Sequence, residues 1–278
     1  MAVRLERRGD GRAAGDARLR TMAEDVKIRE SEYKDPRPAE LFMHYHERAR
    51  EREPDFVYDT TRLLVSPYMY VVLRTRALGI ENLPGAGPVI LAPNHFSFLD
   101  HFLVGCYTRR RTHFMAKSQL FKGPFAWVLE HGAAYPVRRG YQDEEAFITT
   151  RAILERGGTV TMYCEGKRSR TGKLADTARP GIGRIALESG APVVPTAVFG
   201  SSKVRNWRRG RFPRVTVQFG EPIAWEQTED PTREQQQVVA DEILTQIRAM
   251  YDGLARYGRK AVERSLREKR RSRRTAVA

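Results

Sequence analysis

A chain of 278 residues with 41% hydrophobic residues, among them 12 Phe, 11 Tyr and 3 Trp, can bury the core of one catalytic-size domain with terminal additions, which excludes a wholly disordered polypeptide. Forty-nine Lys and Arg against 34 Asp and Glu leave a net charge of +15, which excludes an acidic solvating protein and points to an anionic partner: nucleic acid, a membrane surface or a phosphorylated substrate. Two cysteines, Cys106 and Cys164, exclude a disulfide framework or zinc ribbon and fit a reducing, cytosolic compartment.

The charge is local. Residues 1–55 carry 13 basic and 13 acidic side chains, Ser201–Val215 carries six basic and no acidic ones, and Arg256–Ala278 carries ten basic and two acidic ones. A nearly neutral body therefore bears two basic patches, suited to an anionic membrane surface.

In chain order, the first 20 residues lack the apolar stretch of a secretory signal. Residues 1–35 read as poorly ordered, Asp35-Pro36-Arg37-Pro38 as a break, and Leu41–Arg52 as a helix, so that 1–55 forms a charged extension, partly disordered or helical. Within 56–80, Leu63–Leu73 is free of charge. Eleven residues make a helix of about 16 Å against a hydrocarbon core of ~30 Å, too short to span. The segment reads either as an amphipathic helix lying on a membrane or as a core helix. Val89-Ile90-Leu91-Ala92 is the first buried strand, and Thr112–Ala116, Ala134–Val137, Thr159–Cys164, Val193–Phe199 and Arg214–Phe219 follow. Helical segments fall between them at Leu99–Thr108, Pro124–His131, Asp143–Glu155 and Gly181–Ser189. The alternation predicts an α/β layered sandwich, a central mostly parallel sheet flanked by helices, over a catalytic domain at 81–232. A long amphipathic helix at 233–257 and a basic tail at 258–278 complete the chain.

Four elements carry candidate chemistry. Asn94-His95-Phe96-Ser97-Phe98-Leu99-Asp100 leaves the first strand with a His and an Asp five positions apart, which suits an imidazole–carboxylate base; Asp100 alone would equally suit a helix cap. Gly132 through Arg138 and Arg139 ends a strand in two guanidinium forks suited to phosphate oxygens. Tyr163-Cys164-Glu165-Gly166-Lys167-Arg168-Ser169 runs a strand into an acidic–Gly–basic turn able to hold a phosphate, without the spacing of a nucleotide P-loop. Val194-Pro195 lies in a buried strand, as pocket floor or as pure core.

In this order and at these separations, the four resemble the glycerolipid acyltransferases typified by 1-acyl-sn-glycerol-3-phosphate acyltransferase, over about residues 75–225. Asn94-His95-x4-Asp100 looks like that family's N-H-x4-D motif, Gly132 to Arg138 its G-x5-R element, Glu165-Gly166-Lys167-Arg168-Ser169 its E-G-T-R-S acceptor element, and Val194-Pro195 its V-P strand at the acyl pocket. Cys164 and Lys167 stand where the family has Pro and Thr. The resemblance implies acyl transfer from acyl-CoA or acyl carrier protein to a hydroxyl of a phosphorylated glycerolipid, foremost lysophosphatidic acid to phosphatidic acid, with His95 as general base and Asp100 orienting it. It implies Arg138 and Arg168 on the phosphate, and Asn94, Gly132, Glu165, Gly166, Lys167, Ser169, Val194 and Pro195 lining the substrates. No cofactor and no metal are implied; His44 and His46 have ligand-like spacing without a third partner. Oxyanion donors come from backbone N–H groups near Glu165-Gly166 or from a basic side chain. The expected setting is the cytoplasmic face of a membrane, held peripherally by Ser201–Val215 and the tail. Glycerol-3-phosphate, a lysophospholipid or another hydroxylated lipid are the alternative acceptors, and a non-enzymatic basic protein, with Trp207 and Phe212 stacking on bases, is the alternative class.

Overall fold

The computed structural model describes residues 34–277 apart from 142, 170, 205–209 and 211. Seven strands form one sheet: β1 (Arg76–Leu78), β2 (Val89–Pro93), β3 (His113–Lys117), β4 (Ala134–Val137), β5 (Thr159–Thr161), β6 (Val193–Phe199) and β7 (Thr216–Phe219). Their spatial order is β1-β7-β6-β2-β5-β3-β4, and every neighbouring pair is parallel except β6 with β7. A strand covered on both faces has no polar side to show, which is why β2 reads as an unbroken apolar run.

Alternation along β2 builds the two halves of the core. Ile90 and Ala92 join Val160, Val193, Ile153, Ile182, Ile185, Ala240 and Ile243 on one face. Val89 and Leu91 join Met69, Leu73, Leu103, Val194 and Val217 on the other. The first face is roofed by α1 (Met43–Glu51), α5 (Glu144–Glu155), α6 (Gly181–Ser189) and the start of α7 (Arg233–Val277). The second is roofed by α3 (Asp100–Gly105) and by a one-turn π-helix, Tyr68–Val72, that continues α2 (Phe56–Pro67). The remaining helix, α4 (Gly123–His131), leads into β4. Gly183 lets α6 and α7 touch: a Cβ there would sit 1.9 Å from the Gln236 carbonyl oxygen.

The structure departs from the sequence reading at both ends. The break at 35–38 is an anchor: the buried Asp35 carboxylate takes Arg37 at 2.7 Å and the Ser118 hydroxyl at 2.7 Å, and Arg37 donates to the Phe121 carbonyl at 2.8 Å. Arg37 and Ser118 hold the Asp35 carboxyl well below the usual range, against the opposing effect of burial. The basic tail is helical to Val277, set off from the first limb of α7 by Gly258 at φ 73°, ψ 162°, a conformation open to glycine. Its inner face is docked: Lys269 and Arg273 reach Glu221, both at 3.0 Å, and Arg259 donates to the Arg74 carbonyl at 3.2 Å. The 56–80 segment packs one side into the core, burying Val57, Tyr58, Met69 and Leu73, while Leu63, Leu64 and Val71 are each more than 70% exposed. Of the expected basic patch Ser201–Val215, residues 205–209, Trp207 among them, and 211 lie outside the described residues, as do residues 1–33 of the extension.

Candidate active site

Parallel pairing of β2, β5, β3 and β4 puts their carboxyl ends on one edge, where ligands of open α/β sheets bind. His95 leaves β2 there, Arg138 and Arg139 leave β4, and Tyr163–Ser169 leaves β5. His95 is 8% exposed and Asp100 fully buried. Asp100 Oδ2 lies 3.0 Å from His95 Nδ1 and accepts the backbone N–H groups of Phe96 and Ser97, each at 2.7 Å. One carboxylate thus closes the turn before α3 and accepts from the imidazole Nδ1, turning Nε2 away from it. Capping and orienting are the same contact. Asp100 Oδ1 is buried with no hydrogen-bond partner among the described residues.

The loop after β5 clasps the His95 backbone from both sides. Glu165 Oε2 accepts the His95 N–H at 3.0 Å, and the Ser169 N–H donates to the His95 carbonyl at 2.8 Å. The other Glu165 oxygen accepts the Ala175 N–H at 3.1 Å, so both of its oxygens are engaged by backbone. Burial pushes the Glu165 carboxyl up, opposed by these two donors. Gly166 turns the loop at φ 65°, with its N–H on the Tyr163 carbonyl at 3.0 Å. Lys167 is exposed and Arg168 half-buried. Cys164 is sealed, and burial pushes its thiol up to about 12, so it is no nucleophile at neutral pH.

Other expected site residues make contacts within the fold. Asn94 acts as a surrogate strand residue: its Nδ2 donates to the Val198 carbonyl at 3.2 Å and its Oδ1 accepts the Val198 N–H at 2.7 Å, tying β2 to β6. Gly132 caps α4, with a Cβ position 2.6 Å from the Val128 carbonyl oxygen. Arg138 donates to the Arg37 carbonyl at 2.9 Å and lies 4.3 Å over the Tyr141 ring. Val194 and Pro195 are buried in β6 beside Leu91 and Ala92.

Three residues at the site fell outside the sequence assignment. Arg139 is half-buried, its guanidinium pKa lowered by burial, with no carboxylate paired to it among the described residues. The Tyr163 ring stacks on His95 at 4.0 Å and 26° between planes. Its hydroxyl meets His101 Nδ1 at 2.9 Å. The available signals were an Arg-Arg pair that spacing alone does not resolve, and an aromatic residue immediately before the Cys-Glu-Gly turn.

An imidazole paired with a buried carboxylate thus stands at this edge, with guanidinium groups on the neighbouring loops. Residues 74–199 match the family model described as Acyltransferase. The chain is 28% identical over 167 residues to a chloroplastic 1-acyl-sn-glycerol-3-phosphate acyltransferase of Brassica napus, covering 59% of this chain and 47% of that one. It is 30% identical over 143 residues to a 1-acyl-sn-glycerol-3-phosphate acyltransferase of Limnanthes douglasii, covering 48% of this chain and 50% of that one. It is 24% identical over 188 residues to a glycerol-3-phosphate acyltransferase of Pseudomonas paraeruginosa, covering 53% and 22%. The chain spans about half the length of the first two and less of the third. The crystal structure of the 1-acyl-sn-glycerophosphate acyltransferase PlsC from Thermotoga maritima aligns over 75% of this chain and 89% of that one, at 21% identity and a TM-score of 0.48.

Proposed function

We propose that the chain transfers a fatty acyl group from acyl-CoA or acyl carrier protein to the free hydroxyl of a phosphorylated glycerolipid, foremost lysophosphatidic acid to give phosphatidic acid. The observation that carries this reading is the His95–Asp100 pair, held at 3.0 Å with the carboxylate buried and Nε2 without a partner among the described residues. His95 Nε2 takes the hydroxyl proton as the oxygen attacks the thioester carbonyl carbon, and Asp100 stabilises the imidazolium. The new C–O bond forms, the tetrahedral oxyanion collapses, the C–S bond breaks, and the leaving thiolate takes the proton from His95. Backbone N–H groups at the Glu165-Gly166 turn or a basic side chain serve the oxyanion.

Arg168 and Arg139 hold the acceptor phosphate. Arg139 takes the contact expected of Arg138, because the Arg138 guanidinium already serves the Arg37 carbonyl and the Tyr141 ring. Of the residues expected on the substrates, Glu165 and Ser169 act by fixing His95, and Asn94 and Gly132 by fixing β2 and the entry to β4. Lys167 lies exposed near the loop's tip as a further phosphate contact, and Val194-Pro195 stays the floor against the acyl chain.

A peripheral stance at the cytoplasmic face of a membrane is supported by the exposed Phe56, Leu63, Leu64 and Val71 on one side of the 56–72 helix. Lys260, Arg264 and Arg271 line the exposed side of the second α7 limb, whose Arg259 reaches the end of that helix. Among the described residues no helix is long and apolar enough to cross a membrane.

The experiment is thiol release from acyl-CoA with lysophosphatidate, glycerol-3-phosphate, lysophosphatidylcholine and monoacylglycerol as acceptors, repeated with His95→Ala. Release that requires a phosphorylated acceptor and falls about 10²–10⁴-fold in the variant supports the reading. Wild-type rates in His95→Ala sink it.

A further inference from the structure

His101 follows the Asp100 carboxylate on α3 and takes no part in the reaction as proposed. Its ring packs among Tyr163 at 4.9 Å, Phe114 at 5.4 Å and Phe98 at 6.2 Å, and lies 5.3 Å from the His95 ring. Burial, and then the charges of His95, Arg139 and Arg168, hold it down to about 3, so the imidazole is neutral at any working pH. A neutral imidazole carries one proton, and the contact with Tyr163 decides where. The Tyr163 hydroxyl touches no other acceptor among the described residues and stays protonated, because burial and the Asp100 charge push it well above its ordinary value. When that hydroxyl donates to His101 Nδ1, the His101 proton sits on Nε2. Nε2 has no partner among the described residues, and the His101 residue is only partly buried.

Arg139 leaves β4 and Arg168 precedes Ser169 in the loop that holds the His95 carbonyl, so both stand at the sheet edge this ring occupies, neither paired with a carboxylate among the described residues. We propose that His101 Nε2–H is a third ligand of the acceptor's phosphate, beside Arg139 and Arg168, and that Tyr163 is the positioning residue that sets its tautomer. A neutral donor suits the place: a second imidazolium 5.3 Å from His95 would oppose the proton that His95 must take up.

The inference rests on the acyl-transfer reading, and the test separates the two. In steady-state kinetics, His101→Phe raises KM for lysophosphatidate about tenfold or more, as for one lost hydrogen bond to a charged group, while KM for acyl-CoA is unchanged. His101→Gln, which keeps an N–H, recovers most of the loss, and Tyr163→Phe gives a smaller rise in the same constant. In the wild-type chain, imidazole nitrogen NMR shows His101 as the neutral Nε2–H form down to pH 5, and inorganic phosphate shifts that resonance. A wild type that releases no thiol with any acceptor overturns the acyl-transfer reading, while the NMR measurement still decides the phosphate contact. An Nδ1–H tautomer, a resonance indifferent to phosphate, or equal rises of both KM values overturns the inference.

Discussion

His95 is constrained at its ring by Asp100, on its face by Tyr163, and along its backbone by Glu165 and Ser169. Two of these contacts make different predictions. Asp100→Asn removes the negative charge that stabilises the His95 imidazolium in the proposed reaction; kcat falls by about 10²–10⁴ with KM for the acceptor little changed, checked by steady-state kinetics. Glu165→Gln leaves one acceptor oxygen where two backbone donors were served, so either His95 or Ala175 loses its bond. That displacement lowers kcat by about tenfold or more, because a shift of the base on the order of 1 Å is enough for such a loss. A variant that instead raises only the acceptor KM would return Glu165 to the substrate pocket. The pairing of His95 with Asp100 was legible because the spacing is local. The clasp was not, since a glutamate beside basic residues reads as a binding group until β5 is seen lying against β2.

At the scale of elements, β2, β4 and β6 were legible as apolar runs bounded by turns, and α6 kept both its limits. β1 was missed because Arg76-Ala77-Leu78 is three residues long and opens on an exposed arginine; its strand character comes from β7 alone. The second limb of α7 was missed because charge density suggests solvation, whereas its inner face finds Glu221 and Glu81. Gly183→Ala drives a methyl into the α7 backbone and costs about 1–3 kcal/mol, measured as a lowered urea midpoint with an unchanged slope. On the exposed side of α2, Leu63→Asp with Leu64→Asp leaves the thermal midpoint within about 2 °C, since both side chains already face solvent. The same pair weakens co-sedimentation with anionic vesicles; undiminished binding would remove α2 from the membrane contact.

For the whole molecule, two more buried histidines set an acid limit. Burial first, with a smaller push down from Arg50, brings His46 to about 4, and burial together with Arg156 brings His113 to about 4, both from 6.5. Between those values the unfolded chain binds protons that the folded chain does not, so stability rises with pH across that window. It is complete above about pH 6.5 and lost as the pH falls towards 4, which urea titrations at stepped pH would record. His46→Gln flattens part of that slope; an unaltered slope would mean His46 is charged inside the fold. The strand order also sets a timetable for synthesis. β1 is bonded to β7 alone among the described strands, so Arg76 waits for Thr216 to leave the ribosome, and the site edge closes only when β6 reaches β2. During that interval the apolar side of α2 is already complete, so a nascent chain can meet a bilayer before it has an active site to bring there.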